Sequence, residues 1–281
     1  MTLQGLNSQN EKSASDSYEK FPIFSRFIQL RCIVRPNVLK RSVVSFFGKG
    51  VQGPMDDKMK IMDNLWQVAG DGLTAPEDAA SYLIRFGKCA ALIDAGTGKR
   101  HDRLVRNISA CLPFETNIEY LFLTHCHYDH AGGAEGIRNH YGCRIVAHAH
   151  DAVFLEAGDG TTTAAAWYGA VQNRIAIDQK IDARMAEFAV GDGRITACFC
   201  PGHSPGSLVY TAELNGLKVL FGQDVHGPLH RDLKSDARAY ADSLKFLLDL
   251  NADILCEGHF GVLRGKEPVR RFISSYLPEA A

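Results

Sequence analysis

The chain has 281 residues, of which 46% are hydrophobic and 22% are charged, and its formal net charge is -1 at pH 7. A chain of this length and composition can bury a sizeable core without disulfides. The near-neutral charge argues against nucleic acid or an acidic membrane as a partner, and the apolar runs are all too short to span a membrane.

The first sixty residues differ from the rest in composition. Residues 1–18 are rich in Ser, Asn, Gln and charge, which predicts disorder. Phe21–Phe47 mixes apolar residues with Arg and Lys. It predicts either a basic amphipathic helix of the kind that lies on membranes, or an extension that packs on the main domain or on a second subunit in a homodimer. We therefore expect a partly disordered N-terminal extension, residues 1–60, and a main domain, residues 61–281.

The 8 cysteines show no regular spacing and no C-x-x-C pair. The N-terminus is polar from Gln4 to Lys20, so no signal peptide is predicted. Scattered thiols without a secretory signal are typical of the reducing cytosol, and we expect a cytoplasmic protein. Cys198 and Cys200 alternate on a predicted strand, where core packing is favoured over a disulfide.

From about Met62 the hydrophobic pattern predicts regular structure. Strands are predicted at Leu65–Val68, Ser81–Phe86, Cys89–Asp94, Tyr120–Leu123, Cys143–Ala147, Arg194–Phe199, Ser207–Thr211, Lys218–Phe221 and Asp253–Cys256. Helices are predicted at Arg103–Cys111, Gly133–His140, Asp151–Ala157, Ala164–Ile175, Ala237–Leu250 and Pro268–Leu277. This order favours an α+β fold in which helices cover two packed sheets, a four-layer αββα sandwich.

The clearest chemical signal is the motif Thr124-His125-Cys126-His127-Tyr128-Asp129-His130. Three histidines and one aspartate fall within six residues, directly after a strand that is predicted to be buried. Imidazole and carboxylate groups are typical ligands of zinc, iron and manganese. Because crowding these groups is costly unless a metal binds them, we interpret the motif as a metal site rather than a surface cluster.

Three later loops offer ligands of the same kind. His203 lies in a turn rich in Gly and Pro, Asp224 follows one predicted strand, and His259 follows another. Each of these signals is weak by itself. Their combination, in this order after the His125–His130 motif, strongly indicates a metal centre.

These motifs resemble the metallo-β-lactamase superfamily, in particular its glyoxalase II-like and lactonase-like members, over roughly Met62 to Leu277. The resemblance implies the αββα fold and two divalent metal ions, with zinc expected first and iron or manganese as alternatives. It implies the following roles: His125, His127 and His203 bind the first ion, Asp129, His130 and His259 bind the second, Asp224 bridges both, and Asp94 supports the ligands from behind.

Such a centre activates water as a metal-bridged hydroxide, and Asp129 would also act in catalysis by orienting that hydroxide. We expect a metal-dependent hydrolase that cleaves a thioester or another activated carboxylic ester in a small-molecule substrate. Only Phe260–Ala281 follows His259, so the glutathione-binding domain of glyoxalase II is not expected. Phosphodiester cleavage ranks low because no basic patch lies near the motifs.

Two other activities stay open. Lactonases of this superfamily usually carry a tyrosine three residues beyond the bridging aspartate, where this chain has Gly227. Persulfide dioxygenases hold a single iron, for which His125, His203 and Asp224 would serve here.

Residues near the ligands are candidates for the substrate pocket: Cys126, Tyr128, Trp167, Tyr168 and His226. Free cysteines are commonly buried, so a buried Cys126 is favoured over one that faces substrate. Trp167 and Tyr168 either line an apolar pocket or pack inside a helix. His226 is a candidate for proton transfer, or a solvated or structural loop residue.

Overall fold

The computed structural model describes residues 59–222 and 224–278. The predicted disorder at residues 1–18 and the predicted basic helix at Phe21–Phe47 lie outside these ranges. The boundary that we placed between residues 60 and 61 stays a prediction.

Two mixed sheets form the centre of the fold. The first sheet has seven strands in chain order: β1 (Lys60–Met62), β2 (Leu65–Ala69), β3 (Ser81–Phe86), β4 (Cys89–Ile93), β5 (Asn117–Phe122), β6 (Arg144–His148) and β7 (Gln179–Ile181). The second has six, in the spatial order β13-β12-β11-β10-β9-β8: β8 (Met185–Val190), β9 (Gly193–Phe199), β10 (Leu208–Leu214), β11 (Leu217–Phe221), β12 (Ile254–Cys256) and β13 (Val262–Arg264).

Helices cover the outer face of each sheet. They are α1 (His101–Cys111), α2 (Tyr128–Ala131), α3 (Ala134–Tyr141), α4 (Ala149–Ala157), α5 (Ala237–Asp249) and α6 (Lys266–Ser274). Strand β4 shows how the layers arise. Its side chains alternate, so that Leu92 packs with the apolar residues of α1 and α3, while Ile93 packs between the two sheets. A third apolar cluster joins the second sheet to α5 and α6, and the structure therefore confirms the αββα sandwich.

The directions of the strands bring the predicted ligands to one edge. In the first sheet β4 runs parallel to β5, so Asp94 and His125 follow neighbouring strand ends. In the second sheet β11 runs parallel to β12, and β9 points the same way because both β9 and β11 are antiparallel to β10. The loops that carry His203, Asp224 and His259 therefore leave the second sheet at the same edge.

The predicted helix at Ala164–Ile175 is wrong. Only Ala165–Tyr168 is helical, as a single 3₁₀ turn. Both flanking residues, Ala164 and Gly169, have a left-handed backbone with φ of 60°, which ends an α-helix at once. From Gly169 the chain runs without regular structure to β7.

Several short strands were not predicted, namely β1, β7, β8 and β13. In β8 three residues are exposed, and only Phe188 and Val190 are buried. Such an edge strand is held by pairing with β9. No helix within the described ranges is long and apolar enough to cross a membrane.

Candidate metal centre

Four donor groups form a first cluster at the shared edge of the two sheets: His125, His127, His203 and Asp224. Nδ1 of His127 lies 2.9 Å from Nε2 of His125 and 3.0 Å from Nε2 of His203. Oδ2 of Asp224 lies 3.4 Å from Nε2 of His203. All four side chains are buried, so their donor atoms converge on one protected point.

A second cluster lies beside the first and contains Asp129, His130 and His259. Oδ2 of Asp129 lies 3.2 Å from Nε2 of His259 and 3.7 Å from Nε2 of His130. Oδ1 of Asp224 faces this cluster, at 3.0 Å from Nε2 of His130 and 3.4 Å from Nε2 of His259. The Asp224 carboxylate thus presents one oxygen to each cluster.

Hydrogen bonds behind the rings select the tautomer of three histidines. Nδ1 of His130 lies 2.8 Å from Oδ2 of Asp94, and Nδ1 of His203 lies 3.0 Å from the carbonyl oxygen of Pro228. Both oxygens are acceptors only, so each Nδ1 carries a hydrogen and each Nε2 is the atom that a metal ion would bind. Both Nε2 atoms face the clusters.

Thr124 links Asp94 to His125 and fixes the tautomer of this third histidine. The Thr124 hydroxyl donates to Oδ2 of Asp94 at 2.7 Å, which leaves its oxygen free to accept from Nδ1 of His125 at 3.0 Å. Nε2 of His125 is therefore unprotonated and faces the first cluster. Asp94 orients two histidines, one directly and one through Thr124.

The donor set fits divalent metal ions. Nε2 of His130 and Oδ1 of Asp224 are buried 3.0 Å apart and attract each other, but their directions are not those of a hydrogen bond. Buried polar atoms without a hydrogen bond are rare in native proteins, and a metal ion would satisfy both. Nitrogen and carboxylate donors in groups of three or four are the usual surroundings of zinc.

Burial keeps two histidines of the first cluster neutral. It lowers the pKa of His125 well below the ordinary value, and the neighbouring rings of His130 and His127 lower it further. Burial, together with the neighbouring His203, also lowers the pKa of His127 to about 3. Both rings therefore hold a free lone pair at neutral pH.

The second cluster pairs charges instead. Burial alone would lower the pKa of His259, but the Asp224 and Asp129 carboxylates outweigh it and raise that pKa to about 10. The same carboxylates raise the pKa of His130 against the effect of burial. In return, despite burial, His130 and His259 lower the pKa of Asp129 to about 2 and that of Asp224 well below its ordinary value. Without metal, this cluster holds protons that bound ions would replace.

Asp151 holds two of the ligand loops together, a role that was not predicted from the sequence. Its buried carboxylate accepts from the backbone N–H of Cys126 at 2.8 Å and of Gly206 at 2.6 Å. It also accepts from the Ser204 hydroxyl at 2.6 Å. In the sequence Asp151 is merely an acidic residue near the start of a predicted helix, and only the fold places it between the loops of His125 and His203.

Glu257 performs the same task for the other two loops. Its fully buried carboxylate accepts from the backbone N–H of Val225 at 3.1 Å, His259 at 2.7 Å and Phe260 at 2.8 Å. It also pairs with Nδ1 of His226 at 2.9 Å. A glutamate at the end of an apolar strand, directly before Gly-His, was a signal that could have identified it.

Cys126 is buried, in line with the interpretation favoured from the sequence, and a contact with substrate stays a prediction. The side chain has no exposed surface and packs in the apolar cluster beneath α1 and α3. Its sulfur lies 4.0 Å from the carbonyl oxygen of Thr162. Cys198 and Cys200 are likewise buried in the core beside α5 and form no disulfide with each other, as predicted.

The other pocket candidates lie around the centre. The Tyr168 hydroxyl lies beside the Asp129 carboxylate and interacts with it, and its ring is 5.8 Å from that of Tyr128. Trp167 is exposed and packs against His230, with ring centroids 5.2 Å apart. The His226 ring lies 5.2 Å from that of His259. Their contacts with substrate stay a prediction.

Comparison with known proteins gives the same family signal at three levels. The family model described as the metallo-beta-lactamase superfamily matches residues 75–259. The acyl-coenzyme A thioesterase MBLAC2 of Bos taurus is 28% identical over 71% of this chain and 78% of its own. The probable metallo-hydrolase YybB of Bacillus subtilis is 22% identical over 70% of this chain and 87% of its own.

Solved structures show the same fold. A metallo-β-lactamase of Cronobacter sakazakii superposes with a TM-score of 0.65 at 21% identity, covering 77% of this chain and 89% of that one. The subclass B3 metallo-β-lactamase BJP-1 of Bradyrhizobium japonicum gives a TM-score of 0.61 at 20% identity, covering 77% and 89%.

Proposed function

The chain belongs to the metallo-β-lactamase superfamily, and from that membership we propose a binuclear metal-dependent hydrolase that cleaves thioesters or other activated carboxylic esters. One observation carries the binuclear part of the proposal. The two oxygens of Asp224 face separate groups of histidines, at 3.4 Å from Nε2 of His203 and 3.0 Å from Nε2 of His130.

The residues divide the work as follows: His125, His127, His203 and Asp224 would hold one ion, while Asp129, His130, His259 and Asp224 would hold the other. When bound, such a pair of ions lowers the pKa of a water molecule and polarises a carbonyl oxygen. Asp94 keeps His125 and His130 in the tautomers that bind metal, and burial of the clusters excludes competing water.

The substrate class is supported by the rim of the centre. Trp167 and Phe260 are 44% and 49% exposed although both are large aromatic residues. Phe260 follows the ligand His259 and packs 5.0 Å from His226, while Trp167 precedes Tyr168. Exposed aromatic residues around a polar centre suit a substrate with an apolar acyl group. The name of the bovine relative, an acyl-coenzyme A thioesterase, points to the same class.

The presence of the second cluster favours two ions over the single iron of a persulfide dioxygenase. A mononuclear site that uses His125, His203 and Asp224 would leave Asp129, His130 and His259 as a buried or half-buried charged group without a ligand. Burying such a charged group costs free energy, and this cost is usually met only where the group has a function, such as binding a second ion.

The test begins with metal analysis of protein purified without added metal, followed by assays of the zinc-loaded protein. Acyl-coenzyme A esters of several chain lengths, an acyl-homoserine lactone and bis-nitrophenyl phosphate form the panel. We expect about two metal ions per chain and the highest kcat/KM on a thioester. The variant Asp224→Ala should lose both the second ion and the activity.

Other outcomes point elsewhere. One iron per chain with oxygen uptake on a persulfide would replace the proposal with the dioxygenase. Faster cleavage of the lactone than of any thioester would assign a lactonase. Activity on bis-nitrophenyl phosphate alone would contradict carboxylic ester hydrolysis altogether.

A further inference from the structure

Among the predicted metal ligands, the side chain of His259 is the most exposed to solvent. His259 keeps 32% of its side chain exposed, whereas Asp129 and Asp224 keep 6% and 7%. The three histidines of the first cluster are almost completely enclosed. A substrate must therefore arrive on the His259 side, where it first meets Asp129 and Asp224.

A compact segment, residues 159–170, lies against the motif that carries Asp129. Asp159 stabilises the start of this segment by accepting from the backbone N–H of Thr161 at 2.9 Å and of Thr162 at 3.0 Å. The backbone N–H of Tyr128 donates to the carbonyl oxygen of Thr163 at 2.8 Å. The 159–170 segment is thus hydrogen-bonded to the metal-binding loop itself.

The 3₁₀ turn at the end of the segment delivers Tyr168 to the centre. The turn is closed at both ends by the left-handed residues Ala164 and Gly169, and the N–H of Ala170 donates back to the carbonyl of Ala165 at 3.0 Å. These bonds hold the backbone at Tyr168, and its ring packs against Tyr128. The side chain has little freedom to leave the position it occupies.

The Tyr168 hydroxyl lies close to two of the predicted metal ligands. It interacts with the Asp129 carboxylate and lies within electrostatic reach of Asp224, the two ligands nearest the open side. The residue is half-buried, so part of it remains accessible from solvent. His226, a second polar side chain at this rim, already pairs through Nδ1 with Glu257.

We propose that Tyr168 is a catalytic residue that donates a hydrogen bond to the carbonyl oxygen of the substrate. In the free protein its O–H is directed at Asp129. In the complex it turns to the carbonyl oxygen, where negative charge develops as the nucleophile adds to the carbonyl carbon. No bond to Tyr168 forms and no proton leaves it. This role rests on the proposed function, since it requires a substrate with a carbonyl group.

The test compares Tyr168→Phe with wild type and with Tyr141→Phe, all loaded with zinc. Tyr141 lies on α3 and its hydroxyl contacts the backbone of Val105, so this control removes a phenol oxygen far from the centre. We expect Tyr168→Phe to lower kcat on the best ester or thioester by roughly 10²-fold, with little change in KM or zinc content. Tyr141→Phe should keep the kcat of wild type.

A second readout does not depend on turnover. Hexylphosphonate carries charged tetrahedral oxygens that imitate the developing oxyanion. Its Kd, measured by calorimetry on the zinc-loaded proteins, should rise about tenfold or more in Tyr168→Phe, as expected for one lost hydrogen bond to a charged oxygen. The control should bind it as wild type does.

The outcomes separate the two proposals. Unchanged phosphonate affinity in Tyr168→Phe would overturn the role of Tyr168. A loss of zinc, with normal kcat once zinc is restored, would also overturn it and make Tyr168 a positioning residue for Asp129. If wild type cleaves no ester, thioester or lactone, the proposed function fails, while the phosphonate measurement still decides whether Tyr168 binds an oxyanion.

Discussion

Oδ2 of Asp94 lies 2.8 Å from Nδ1 of His130 and also accepts a hydrogen bond from the Thr124 hydroxyl at 2.7 Å. One carboxylate oxygen therefore orients His130 directly and His125 through Thr124. The backbone of Asp94 is left-handed, with φ of 59°. Its conformation turns the chain out of β4 so that the carboxylate lies behind both rings.

Replacing this acceptor should weaken metal binding without unfolding the protein. In Asp94→Asn a neutral amide replaces the carboxylate that accepts hydrogen bonds from Thr124 and from Nδ1 of His130. The tautomer of His130 is then less well fixed. We expect zinc affinity to fall by roughly 10- to 100-fold, measured by competition with a chromogenic chelator. Asp71→Asn, on an exposed loop, is the matched control, and equal affinities in the two variants would contradict the role of Asp94.

Gly258 gives a way to close the second cluster alone. A Cβ atom at this position would lie 2.5 Å from Oδ1 of Asp224 and 2.9 Å from Cε1 of His130. Gly258→Ala should force these donors apart and reduce the zinc content from about two ions to about one per chain. Gly160→Ala adds a methyl group where nothing lies within 4 Å and should bind zinc normally. Two tightly bound ions in Gly258→Ala would show that the second site lies elsewhere.

The pH dependence of the metal-free protein follows from His259. Its folded pKa of about 10 lies above its ordinary value of 6.5, so its pairing with Asp224 and Asp129 stabilises the fold fully below pH 6.5. This stabilisation is lost as the pH rises through 10. Denaturant unfolding of the EDTA-treated protein should therefore show falling stability from pH 7 to pH 10.

Zinc should remove that part of the pH dependence, because the ion replaces the proton on His259. Binding should release protons, detectable with an indicator dye in weak buffer, and the apparent zinc affinity should rise with pH over the same range. A metal-free protein that is equally stable at pH 7 and pH 10 would show that His259 is not charged at neutral pH.

The buried Asp151 should matter for stability more than for chemistry. In Asp151→Asn the amide nitrogen would meet the backbone N–H groups of Cys126 or Gly206, so at least one buried donor loses its acceptor. We expect the free energy of unfolding to fall by about 2–3 kcal/mol, measured in urea. The exposed control Asp71→Asn should change it little, and an equal effect in both variants would contradict the anchoring role.

The aromatic rim should select for apolar acyl groups. Phe260→Ala should lower kcat/KM for a long-chain acyl thioester by about tenfold, and for an acetyl thioester much less, since only the long chain covers the ring. Phe114 is the control, because it is fully exposed and precedes β5, at the sheet edge opposite the metal centre. A uniform loss over all chain lengths would contradict an acyl-binding role for Phe260.

Much of this architecture could be predicted from local patterns. Continuous apolar runs such as the predicted strand Cys89–Asp94 indicated buried sheets. Polar residues directly after strands indicated a site at the sheet edge. The prediction failed at Ala164–Ile175, where an alanine-rich composition indicated a helix. Left-handed backbone at Ala164 and Gly169 ends it instead, in a segment that packs on the metal-binding loop.

The sequence by itself was enough to predict the main metal donors. His125, His127, Asp129 and His130 are so close together in the chain that the motif indicates a metal site before any fold is known. The sequence also determined the two-sheet topology, through the period of its apolar residues. Only the tertiary structure decided which oxygen of Asp224 faces which cluster, and that Asp151 and Glu257 hold the ligand loops together. These relationships join residues far apart in the chain, and a distance in space between two such residues leaves no trace in the local pattern of either.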